Sequence, residues 1–102
     1  MRNIFLNLGL SVALSLAAST GMAADPTAGK MRSAQCAACH GADGHAVVPE
    51  TPNLAGQDED YLSAQLKAFR SGARKSEIMS VIAKPLTDAE IVNLVAYYHS
   101  LK

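Results

Sequence analysis

Cys36-Ala37-Ala38-Cys39-His40 is the stretch that decides how this chain is read. C-x-x-C-H is the attachment signature of a c-type haem. Two thiols three positions apart occupy neighbouring turns of a helix, where each can form a thioether with one of two vinyl groups on an edge of a porphyrin. The following histidine then lies under the ring and offers an imidazole nitrogen to the iron. The chain contains only these two cysteines. The pentapeptide has two other readings. A structural zinc site needs four ligands, so Cys36, Cys39 and His40 would have to recruit His45 or His99. A redox dithiol sits near a βαβ pattern, and no strand pattern flanks the motif.

Upstream, Arg2 is followed by an apolar run over 4–18, with Gly21-Met22-Ala23 and Met22-Ala23-Ala24 offering small residues near a cut. This is the layout of a secretory signal peptide. The run is shorter than the ~20 residues of a spanning helix. The expectation is a signal segment at 1–23, cleaved after Ala23 or Ala24, rather than a retained membrane anchor. Export agrees with the cysteines, since an extracytoplasmic compartment such as a bacterial periplasm is where such sulfur chemistry survives.

Downstream, residues 24–102 make one small domain of roughly 79 residues, a size that is marginal without a staple. Covalent haem would supply it. The full chain has a formal net charge of zero, and removal of Arg2 leaves the mature part near −1. No basic stripe marks a nucleic-acid surface.

The domain reads as all-α. Asp25-Pro26 looks like an N-cap followed by proline at the first helical position, and a helix over 26–38 is expected to deliver Cys36, Cys39 and His40. Gly29 inside it suggests the close approach of another backbone. Turn chemistry follows at 40–44, then a loop to Gln57. Asp58 caps a helix to about residue 71, with Leu62, Leu66 and Phe69 at helical spacing. Thr87 and Glu90 form a T-x-x-E capping box, flanked by a Leu86–Ile91 hydrophobic staple. Ile91, Leu94, Val95, Tyr98 and Leu101 make one apolar face, with the first helix as its partner.

The iron's sixth position needs a ligand. After cleavage two methionines remain. Met31 is too close to Cys36 on the same helix to reach the opposite haem face. Met79 lies in the segment 70–85, which can cross it, and a thioether ligand favours the reduced iron. His99 and His45 are the competitors, and an open site is the remaining alternative.

The ordered set of motifs resembles a class I cytochrome c of the short bacterial monohaem periplasmic type, and is similar to one half of the dihaem periplasmic cytochromes. Cys-Ala-Ala-Cys-His-Gly at 36–41 carries the haem motif. Thr51-Pro52-Asn53-Leu54-Ala55-Gly56 resembles the family's Gly-Pro-x-Leu-x-Gly loop. Met79, Leu86-Thr87-Asp88 and Ala96-Tyr97-Tyr98 resemble the ligand loop and final helix. Thr51, in place of the usual glycine, and Val81, in place of proline or methionine, depart from the pattern.

The resemblance implies three to four main helices wrapped around one covalent haem c, with His40 and Met79 as axial iron ligands. Pro52 would accept the other ring N–H of His40. Leu54 would pack on the haem, and Gly29 would let the first helix cross the last near Ala96 and Tyr97. An exposed haem edge would be ringed by Ala42, Val47, Val48 and Ala83, and Tyr61, Arg70 and Arg74 are the candidates for the propionates.

The function implied is single-electron transfer rather than catalysis, between redox protein partners. These would be a dehydrogenase or membrane cytochrome complex on one side and a terminal oxidase or reductase on the other. No membrane span is expected in the mature form, which would be a monomer or weak dimer. The alternatives are a ligand-binding or peroxidase haem protein with an open sixth site, and a fixed cytochrome subunit of a larger oxidoreductase.

Overall fold

The computed structural model describes residue 4, residues 8–14 and residues 23–102. Most of the expected signal segment, including Gly21-Met22 of its cut motif, lies outside them. Among the described residues there is no strand, and no helix is long and apolar enough to cross a membrane.

Helix α1 spans Pro26–Arg32. Asp25 caps it by accepting from the Thr27 and Ala28 amides at 3.0 and 3.1 Å, and its own N–H donates to Asn93 Oδ1 at 2.9 Å. The helix expected over 26–38 is interrupted. Ser33 Oγ donates back to the Lys30 carbonyl at 2.7 Å, a side-chain bond that competes with the helical ladder and bends it. A 3₁₀ turn at Ser33–Gln35 follows, and a separate short helix, α2, spans Ala37–His40. His40 is thus still helical, and Gly41, at φ 81°, ends the element.

Helix α3, Glu59–Ser71, begins at Asp58, whose carboxylate accepts from Tyr61 N at 2.9 Å. It stops at Gly72, left-handed at φ 87°, where glycine is the low-cost residue. The segment 70–85 holds one further short helix, α4, Met79–Ala83. Helix α5, Asp88–Ser100, carries the expected capping box: Glu90 N donates to Thr87 Oγ1 and Thr87 N to Glu90 Oε1, both at 3.1 Å. Leu86 and Ile91 are both buried beside it, as a staple requires.

Helices α1 and α5 cross in intimate contact, and α3 packs on both α5 and α4. The core consists of Leu62, Ala83, Leu86, Ile91, Leu94, Val95, Tyr97 and Tyr98. One core residue is added and one expectation is corrected here. Tyr97 is buried along with the anticipated α5 face. Ala83, expected at an exposed haem edge, is fully buried, because the helical turn of α4 rotates it inward while Val81, two residues earlier, faces solvent.

Glu90 does double duty. One carboxylate oxygen closes the capping box and the other accepts from Arg32 Nε, joining α5 to α1. The Thr87 amide, then the Arg32 guanidinium, hold its carboxyl below the usual glutamate value. A carboxyl with a lowered folded-state pKa stabilises the fold above its unfolded value, and that contribution is lost as pH falls through the folded value. Glu90→Gln is therefore expected to unfold at lower temperature than wild type at neutral pH. The gap should close on acidification below the ordinary glutamate range. Melting curves from pH 7 to pH 3 check this; a gap constant with pH would show that the charge contributes nothing.

Candidate haem-binding site

A cavity of about 690 Å³ opens between α2, the 48–54 loop, α3, α4 and α5. It lies in the range of about 300–1,000 Å³ typical of ligand sites. Cys36, Cys39 and His40 line it, and Met79 reaches the same cavity from α4. Pro52 and Leu54 line it from the loop, and Leu54 is also packed against the core.

His40 is buried, and its Nδ1 lies 2.8 Å from the Pro52 carbonyl oxygen. A carbonyl can only accept, so Nδ1 carries the proton and Nε2 keeps its lone pair. A partner of this kind fixes the tautomer and ring orientation of a metal-binding imidazole. The loop that supplies Pro52 is itself held in place. Leu54 N and Ala55 N donate to the Gly44 carbonyl at 2.8 and 3.1 Å, and Ala46 N donates to Asn53 Oδ1 at 2.7 Å. Gly44 sits at φ 81°, and a Cβ there would lie 2.9 Å from Ala55 N.

The competitors for the iron are engaged elsewhere. The ring of His45 pairs through Nε2 with the Lys102 carbonyl at 2.8 Å. That of His99 pairs through Nδ1 with the Gln57 carbonyl at 2.8 Å. Neither lines the cavity, and Met31 is 78% exposed. Among the described residues no group of three His, Cys, Asp or Glu side chains is placed to hold a metal. Tyr61 and Arg74 line the cavity and Arg70 does not. Its guanidinium donates to the Leu86 carbonyl at 3.1 Å and pairs with Asp88 at 2.7 Å. Val48, 41% exposed, stands at the rim, whereas Val47 is more exposed and lies off the lining.

One lining group was not anticipated. Tyr98 is 4% exposed, yet among the described residues its hydroxyl has no partner within hydrogen-bond geometry, although Cys36 and Ser33 lie beside it. Burial, then the neighbouring Cys36, push its ionisation well above the ordinary tyrosine range. Burial likewise pushes the Cys36 thiol up, opposed by Tyr98 and Arg32. In the sequence Tyr98 is simply one more residue of an apolar helical face, and nothing there marks its hydroxyl as unpaired. Buried polar groups in finished folds are paired, so an orphan hydroxyl on this wall marks a cavity that protein atoms alone do not complete. Two thiols at the C-x-x-C spacing, a pre-oriented imidazole and an otherwise mostly apolar wall fit a covalently attached haem, and the Met79 thioether lies on the same cavity.

The chain belongs to the cytochrome c family, whose family model matches residues 26–102. With the C-x-x-C pair at Cys36 and Cys39, this makes it a class I electron-transfer protein with covalent haem c. Three relatives show its nearer affinities. It is 42% identical over 81 residues to cytochrome c-554(548) of Halomonas halodenitrificans, covering 76% of this chain and 98% of that one. It is 40% identical to the thiosulfate dehydrogenase electron acceptor of Thiomonas intermedia, over 100% of this chain and 45% of that one. The crystal structure of reduced recombinant cytochrome c4 from Pseudomonas stutzeri superposes with a TM-score of 0.73 at 38% identity, covering 78% of this chain and 47% of that one. The chain therefore spans nearly all of the first relative and about half the length of the other two. The half-length matches accord with the resemblance to one half of a dihaem cytochrome.

Proposed function

We propose that this cytochrome is a monohaem, periplasmic single-electron carrier whose iron is held between His40 and Met79. The signal segment 1–23 is removed after Ala23 or Ala24, leaving 24–102 as the working domain. The observation that carries the reading is the cavity lining: among the described residues, His40 and Met79 supply its imidazole and its thioether.

Haem c supplies a one-electron iron couple when bound. The chain does the rest. The Pro52 carbonyl accepts a hydrogen bond from the Nδ1–H of His40 and leaves Nε2 as the donor atom. Leu54, Ile82, Leu94 and Val95 line the walls with apolar surface that excludes water, and a dry shell of this kind tunes the potential. With an imidazole and a thioether both on the iron, a substrate would reach the metal only when the thioether leaves, which favours electron transfer over the ligand-binding and peroxidase alternatives. Val48 and Ile78 line the cavity and are also exposed. They offer an apolar rim for the small, transient interface of an electron-transfer encounter. The relative named as a thiosulfate dehydrogenase electron acceptor makes a dehydrogenase of that class the first donor to test. A membrane cytochrome complex, terminal oxidase or reductase would serve as the other partner.

The exported product is expected to have the mass of residues 24–102 or 25–102 plus one haem, and its oxidised form a far-red sulfur-to-iron charge-transfer band. Met79→Ala should abolish the band completely, lower the midpoint potential and let the ferrous protein bind carbon monoxide. Wild type that lacks the band and binds carbon monoxide at neutral pH would establish the open-site reading instead.

A further inference from the structure

Met79 is the first residue of α4, half-buried beside exposed neighbours. Glu77 is exposed, Ile78 and Val81 are 64% and 69% exposed, and the fully buried anchor of this helix, Ala83, lies one turn away at its other end. What closes around Met79 is polar. The Met79 N–H donates to Ser76 Oγ at 3.1 Å. The Ser76 N–H donates to Ser80 Oγ at 3.0 Å. The Ser80 N–H donates to the Ser76 carbonyl at 3.1 Å. These bonds form a reciprocal ring through residues 76 and 80, with the methionine amide inside it. The arrangement resembles a capping box, in which two hydroxyl or carboxyl side chains satisfy each other's backbone donors at a helix start.

We infer that Ser76 and Ser80 are positioning residues that latch the methionine segment and set how often the sixth iron position opens. The inference rests on the assignment of Met79 as a ligand. A segment with few buried apolar contacts opens locally at low free-energy cost, so each latch bond carries a large share of that cost. An N-cap hydroxyl or a comparable hydrogen bond contributes enough that its loss should raise the open population about fivefold. Such a change does not touch the iron, the thioether or the haem attachment. Ser80 lies off the cavity lining, so its change acts through the frequency with which the thioether leaves, whereas Ser76 also lines the cavity.

The experiment uses the full haem-loaded protein and imidazole as an external ligand that competes for the sixth position. Ser76→Ala and Ser80→Ala are each expected to bind imidazole about fivefold faster than wild type. The far-red band should be weakened but present, and the mass should still show one haem. Ser76→Asp keeps an acceptor for the Met79 amide and should return the rate to near the wild-type value. This rescue separates a latch from a general loss of stability, which the melting temperature of each variant monitors independently. Should Ser76→Ala fail to fold, Ser80→Ala and Ser76→Asp carry the comparison. If wild type shows the band and the serine variants bind imidazole at the wild-type rate, the latch is overturned while Met79 stands as ligand. If wild type shows no band, the ligand assignment itself fails and the latch fails with it.

Discussion

Gly29→Ala is expected to lower the melting temperature by on the order of 15 °C, although alanine is the better helix former. Propensity alone would favour the change by about 1 kcal/mol in a helix interior. The crossing of α1 and α5 opposes it. A Cβ on residue 29 would lie 2.0 Å from the Asn93 carbonyl oxygen and 2.9 Å from Tyr97 Cβ. The first neighbour is backbone and cannot rotate away, so the helices must separate. Separation strains the Asp25–Asn93 bond and the Arg32–Glu90 pair, and it loosens the packing of Tyr97. Overpacking a tight core costs about 1–3 kcal/mol, and a backbone clash belongs at the top of that range. In a domain of this size each kcal/mol shifts the melting temperature by about 4–8 °C. Ala28→Gly, one residue earlier, is the control, and should cost no more than about 1 kcal/mol. Thermal melts of the haem-loaded variants decide the matter, and a Gly29→Ala protein that melts at or above wild type would remove the close approach from the account of this fold.

How far the sequence carried depended on whether the deciding interaction was local. The start of α5 was legible down to individual bonds, because the capping box and staple involve residues no more than five apart. The approach at Gly29 was legible as a need, and the crossing with α5 followed from the resemblance. The nearest atoms to a Cβ at residue 29 belong to Asn93 and to Tyr97, the second of which the resemblance named; helical phase at a crossing is set by packing. The break at Ser33 was not legible: a serine that bonds its i−3 carbonyl and one that faces solvent look alike in sequence. Nor was α4, which is too short and mixed for a periodic signal. With α4 unseen, Ala83 could not be placed in the core. Arg70 shows the same limit for charge. Whether it met a haem carboxylate or Asp88 depended on how α3 packs against the start of α5. At the site, Cys36, Cys39 and His40 came from a motif whose chemistry dictates its spacing, whereas Pro52 and Leu54 came only from family resemblance. The bond between His40 and Pro52 spans twelve residues, and no local pattern announces it.

Withholding the haem should have the largest effect of all: the chain is expected to lose its fold. The buried apolar set is small, and most of it belongs to α5 and the residues that brace it. The cavity of about 690 Å³ lies against that set, with Leu62, Leu86, Leu94, Val95 and Tyr98 on its walls. Left empty, a void of that volume would cost on the order of 15 kcal/mol, at about 24 cal/mol per Å³. That is as much as the whole stability of a typical domain, about 5–15 kcal/mol. Filling with water avoids the void but wets the same side chains, at about 25 cal/mol for each Å² of apolar surface returned to solvent. Both routes consume what the remaining contacts supply. The helices cannot stand alone either, since α3 and α5 are 13 residues each and isolated helices of that length are marginal in water. A Cys36→Ser, Cys39→Ser chain produced without haem should therefore show weak far-ultraviolet helical signal and no cooperative thermal transition, while the haem-loaded wild type shows both. Native-like helicity with a sigmoidal melt in the haem-free chain would mean that the eight core side chains suffice, and that the macrocycle is a passenger in the fold rather than its centre.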